Sequence, residues 1–152
     1  MKIVALKTTV MTASFLAAVG HAGITLAHSS TGSLGSSAGA TDVYAVVCST
    51  EAGTATYRLA TRVRDNAPVK SPLVSVSSSK GGVVTNTTDT NGDGNSSYSA
   101  YAYNNKGNGT YTMSIKKSKS GSENYTASFH CQGPASSGFI HTSTDYGLIQ
   151  NQ

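Results

Sequence analysis

Thr56–Arg64 reads TYRLATRVR, and this stretch decides the fold. Tyr57, Leu59, Thr61 and Val63 fall on one side of an extended chain, and Arg58, Ala60, Arg62 and Arg64 on the other. Strict period-two alternation of this kind is the mark of a half-buried β-strand, because successive side chains of a strand point to opposite faces. The same reading extends in both directions. Upstream, Thr41–Cys48 is β-branched and aromatic. Downstream, strands are predicted over Leu73–Ser77, Val83–Val84, Tyr98–Tyr103, Thr110–Lys116, Asn124–Cys131 and Phe139–Thr144, with Tyr146–Ile149 as an extension. Pro68, Pro72 and the pair Gly81–Gly82 punctuate them. Seven to eight short strands at roughly ten-residue spacing, with no 3.6-residue period, predict an all-β antiparallel sandwich over residues 41–152.

Composition agrees. The chain has 152 residues, about one domain's worth, and only 12% are charged. Counting gives 23 Ser and 19 Thr, with 8 Tyr, no Trp and 2 Cys. Coiled coils and long helical bundles draw roughly half their residues from A/E/K/L/R, so they are excluded.

The first 27 residues read as an export signal. Lys2 and Lys7 precede an apolar run, Val10–Val19, and small residues follow. The run is too short to span a bilayer, and no other stretch is long and apolar enough. Small-x-small cuts fall after Ala22 and after Ala27, and the second leaves His28 as the first mature residue. Residues 28–40 (HSSTGSLGSSAGA) are small and polar, and we read them as a flexible Ser/Gly lead-in. Export removes two lysines and leaves nine basic residues against seven acidic, a net of +2. That weak balance excludes a nucleic-acid partner, since no basic cluster exceeds Lys116, Lys117 and Lys119. The expected location is the periplasm, the cell surface or the medium. Cys48 and Cys131, both in the exported part, are then expected to form one disulfide between two strands.

Gly107–Cys131, GNGTYTMSIKKSKSGSENYTASFHC, resembles the last strands of small extracellular immunoglobulin-like or pre-peptidase-C-terminal-type β-sandwiches, in which a G-x-Y strand, a turn and an aromatic strand follow one another. The resemblance implies architecture and no activity. The sequence departs from the antibody pattern in lacking Trp and in placing Phe129 two residues before Cys131.

Four groups of residues are candidates for a site. The first is His28, His130 and His141, as copper or zinc ligands. A mature N-terminal His28 resembles the histidine-brace start of periplasmic copper chaperones and copper monooxygenases. A four-residue loop between Gly133 and Gly138 places His130 directly opposite His141, on the outward face because Cys131 points inward. The second is Asp89, Asn91, Asp93 and Asn95, which resemble the first half of a calcium loop; position twelve is Ala100, where a bidentate Glu belongs. Third, Tyr101 and Tyr103 share one face of their strand, with Tyr98 on the other, and are candidates to stack on a sugar or anchor a partner; core packing is the competing reading. Last, Gly35–Gly39 satisfies G-x-S-x-G around Ser37, but no strand leads into it and no helix follows, so no nucleophile elbow is expected. Four sequons stand at Asn86, Asn95, Asn108 and Asn124. No paired carboxylates suggest glycosidase chemistry. The expected function is a non-enzymatic binding or assembly module with a protein or glycan partner, or with itself; the alternative is a periplasmic copper- or zinc-binding protein.

Overall fold

The computed structural model describes residues 28–66, 72–91 and 96–152; the expected signal peptide, Asp93 and Asn95 lie outside them. Among the described residues there are ten strands and no helix: β1 His28–Leu34, β2 Thr41–Ser49, β3 Arg58–Asn66, β4 Val74–Lys80, β5 Val83–Thr88, β6 Ala102–Asn104, β7 Gly109–Lys117, β8 Glu123–Ala135, β9 Gly138–His141 and β10 Ser143–Gln150. They make two antiparallel sheets. Sheet I runs β1-β8-β3-β6, with β9 also paired to β8, and sheet II runs β10-β2-β7-β4-β5. No described helix is long and apolar enough to cross a membrane.

Alternation explains both the strands and the core between the sheets. Leu59 and Val63 of β3 and Tyr125, Ala127 and Phe129 of β8 meet Val46 of β2 and Tyr111, Met113 and Ile115 of β7, and all are fully buried. Cys48 on β2 and Cys131 on β8 are joined as expected, tying the two sheets together with Cα atoms 5.5 Å apart. The β4–β5 hairpin turns on Gly81 and Gly82, with φ of +54° and +77°; a primed two-residue turn needs positive φ at both central positions, which glycine adopts without strain.

The core also holds a polar chain. Ser30 Oγ donates to Tyr44 Oη (3.3 Å), Tyr44 and Tyr125 hydroxyls lie 2.7 Å apart, and Tyr125 Oη donates to Asp42 Oδ2 at 2.6 Å. The backbone N–H of Gln152 donates to Asp42 Oδ1. Burial and the Asp42 bond both push the Tyr125 hydroxyl well above its ordinary pKa, so it stays a donor. Asp42 is 1% exposed yet both oxygens are satisfied, which is what makes a buried carboxylate tolerable.

Three expectations are corrected. Residues 28–34 are not a flexible lead-in. They form β1 and pair with β8 residue by residue, from His28↔Phe129 to Leu34↔Glu123. Pairing overrides the loop-like composition: Leu34 is fully buried, and a Cβ on Gly32 would lie 2.2 Å from Tyr125 Oη, so a small residue is required there. Next, the strand expected over Phe139–Thr144 is two strands. The chain changes sheets at Thr142, which is held by its N–H on Cys131 O and by Thr56 Oγ1 at 2.6 Å. Finally, the loop after Gly133 is shorter than four residues, because β8 continues to Ala135 and only Ser136 and Ser137 connect it to β9.

Candidate binding face

The outward side of sheet I is built from β3. Its inward positions fill the core, so Arg58, Ala60, Arg62 and Arg64 stand outside, as the alternation predicts. Ala60 pairs with Tyr103 of β6 on one side and His130 of β8 on the other, and its methyl group leaves room for both rings.

The arginines alternate with rings. The Arg58 guanidinium lies 3.7 Å from the Phe139 centroid and 4.0 Å from that of Tyr103. Tyr103 stacks on Tyr101 at 5.8 Å. Arg62 sits between Tyr101 (4.5 Å) and Tyr98 (4.3 Å), and Arg64 reaches Tyr98 at 5.3 Å. Tyr57 closes the far end, 5.8 Å from Phe139. A cation over an aromatic face within about 6 Å is held by the ring quadrupole, more strongly where water is excluded. Tyr101 and Tyr103 therefore share a face, and it is the outer face of sheet I. Tyr98 joins them, against expectation, because 96–101 is not a regular strand and alternation does not carry through it. Tyr57 also leaves its expected inward place; it precedes β3 and is 48% exposed.

Among the described residues the charge on this face is of one sign. Among the described carboxylates, Asp42, Asp65, Asp89 and Glu123 are buried, Asp145 lies on β10 of the other sheet, and Glu51 stands at the margin, lining a shallow depression with Ala52, Ile140 and His141. Arg58 Nε donates to Gln132 Oε1 (2.8 Å), and Arg64 donates to Asn66 and Thr126. Arg62 Nε is buried and finds no acceptor among the described residues.

His130 and His141 are brought together. Their rings stack at 4.7 Å with planes 7° apart. The register differs from the expected one by two: His141 pairs with Gln132 and is the diagonal neighbour of His130. An even shift preserves the face, which is why the rings still meet. His130 is outward by parity but not exposed. It is 4% exposed, with Tyr101 at 6.5 Å and His141 over it. Its Nε2 bonds Ser128 Oγ at 3.1 Å, and Nδ1 has no partner among the described residues. Burial holds the imidazole down at about 4, and electrostatic repulsion from His141, Arg62 and His28 pushes the same way.

His28 does not join them. It pairs with Phe129 and stacks on that ring at 6.3 Å, with Tyr146 edge-on at 6.0 Å, so it lies on the inner face. No group of three or more His, Cys, Asp or Glu able to hold a metal exists among the described residues. In parallel rings such as His130 and His141 the in-plane lone pairs run side by side instead of converging on one ion. Of the four calcium candidates the structure describes Asp89 and Asn91. Asp89 is buried, its Oδ2 taken by Asp65 N–H and its Oδ1 by Asn91 N–H, and Asp93 and Asn95 fall outside the described residues.

Sequence reasoning found the charged face of β3 and the tyrosines separately. Nothing local shows that they interleave; that needs the β3–β6 register. No family model matches the chain, and no curated protein or solved structure matches it.

Proposed function

We propose that this chain is an exported, non-enzymatic binding module that holds an anionic partner of the cell surface on the outer face of sheet I. The observation that carries the reading is the row of three arginines interleaved with rings, with no described carboxylate among them. Among the described residues no acid neutralises these arginines. Export is supported by the Lys2–Ala27 pattern and by a disulfide, which persists in oxidising compartments. An immunoglobulin-like architecture is supported by two antiparallel sheets bridged by one disulfide through the core.

The test has two parts. Fractionation of the producing cell should find the protein outside the cytoplasm. The purified mature chain should be retained on that cell's envelope material at low salt, and the Arg58→Ala/Arg62→Ala variant should not. Equal retention of the two proteins refutes the assignment of the face.

A further inference from the structure

We infer that the ligand of this face is an acidic polysaccharide, a chain of sugar rings bearing carboxylates; the inference rests on the binding reading above and names its partner. Stacking a guanidinium between rings covers its two faces and leaves its N–H edge free. Among the described residues Arg58 spends only Nε, on Gln132, and Arg62, whose Nε is buried without an acceptor, keeps its Nη pair as the edge turned to a ligand. Those edges present two parallel donors, the fork that a planar carboxylate accepts in bidentate fashion.

The rings supply the second half of the recognition. Tyr57, Tyr103 and Phe139 remain 48%, 42% and 42% exposed around Arg58, giving flat apolar surface beside the charge. A sugar ring offers C–H faces to such surface and hydroxyls to the flanking Gln132, Thr126 and Asn66. A mineral ion or a simple polyanion has no use for the aromatic half.

At about 3.4 Å per residue, Arg58 and Arg64 are roughly 20 Å apart along β3, so the three arginines span the length of several sugar rings. The row is also linear, running along β3, which suits a polymer laid along it.

The experiment immobilises polygalacturonate, its methyl ester and inorganic polyphosphate, and measures binding of the mature chain by surface plasmon resonance. The acid polymer should bind, the ester at least tenfold more weakly, and polyphosphate more weakly than the acid polymer. Arg62→Ala and Arg62→Lys should each weaken binding about tenfold, the second because an ammonium keeps the charge without the fork. Tyr103→Leu should weaken it too, and Lys119→Ala, off the face, should bind like wild type. Near-ultraviolet circular dichroism checks each fold, and the Arg62→Lys arm keeps the test alive if Arg62→Ala misfolds. Equal binding to acid and ester overturns the inference, and so does polyphosphate binding as tight as polygalacturonate. Failure to bind the acid polymer while envelope retention stays arginine-dependent overturns this inference and spares the binding reading. Envelope retention independent of Arg58 and Arg62 brings down both.

Discussion

Protonating His130 should destabilise this protein by a predictable amount. The ring is 4% exposed and its pKa is held down at about 4, by burial first and then by electrostatic repulsion from His141, Arg62 and His28. In the unfolded chain the ordinary value is about 6.5. A folded-state pKa below the unfolded one means that the unfolded chain binds the proton first as pH falls. The contribution to stability is therefore fully present above about pH 6.5, declines through the window from 6.5 to 4, and levels off below it. Two and a half units correspond to about 3 kcal/mol in full, of which about 2 kcal/mol is lost between pH 8 and pH 5. With a urea m-value near 2 kcal/mol per molar, the midpoint should fall by about 1 M over that range. The assay is urea unfolding followed by tyrosine fluorescence from pH 8 to pH 5, in chelator-treated buffer. His130→Gln cannot take up the proton, so its midpoint should be lower at pH 8 and much flatter with pH. If wild type and His130→Gln lose stability in parallel, the buried imidazole is not the group responsible, and the account of a ring sealed beneath Tyr101 and His141 is wrong.

Other predictions concern the scaffold. Replacing Cys48 and Cys131 together by Ala opens a link spanning 83 residues; chain entropy alone puts the loss at about 4.5 kcal/mol, measured by urea unfolding. A loss below about 1 kcal/mol would mean that the unfolded chain is not restrained by the bridge. Gly32→Ala should cost about 1–3 kcal/mol, read as a lowered melting temperature, because the new methyl must displace Tyr125 and with it the bond to Asp42. An unchanged melt would place β1 elsewhere. Asp89→Ala removes the acceptor of the Asp65 and Asn91 N–H groups and should cost about 1–3 kcal/mol, equally with calcium and with chelator. A loss that appears only in calcium would assign Asp89 to an ion.

What the sequence discloses here is what side-chain period discloses. The outward arginines of β3, the inward Tyr111, Met113 and Ile115 of β7 and the cross-sheet Cys48–Cys131 bridge are legible because each lies in a run whose polarity alternates. β1 is not legible: Ser, Thr and Gly carry no contrast between faces, and the segment becomes a strand only because β8 offers it an edge. The meeting of His130 and His141 is half legible. Parity fixes which face they share, but the register depends on whether two or four residues make the turn, and GPASSG accommodates either. His28 is misplaced in the sequence reading because the Ser/Thr/Gly segment it opens shows no parity until its strand partner is known.

The row of arginines and rings depends on elements that are remote in the chain. Tyr98, Tyr101 and Tyr103 follow β3 by more than thirty residues, and Phe139 follows by more than seventy. They converge because β6 and β8 flank β3 and β9 pairs with the C-terminal part of β8. The inward half of β3 is what holds that arrangement still: Leu59 and Val63 are locked in the core, and the disulfide pins β8 beside them. A free arginine surrenders about 2 kcal/mol of rotamer freedom when it is fixed. Here the rings already hold Arg58 and Arg62 by stacking, so the proposed carboxylate would not have to order them. For the proposed ligand the aromatic rings would thus act on affinity twice, once by offering surface and once by holding the guanidinium edges in place, and the second effect would survive even where a ring never touches the ligand.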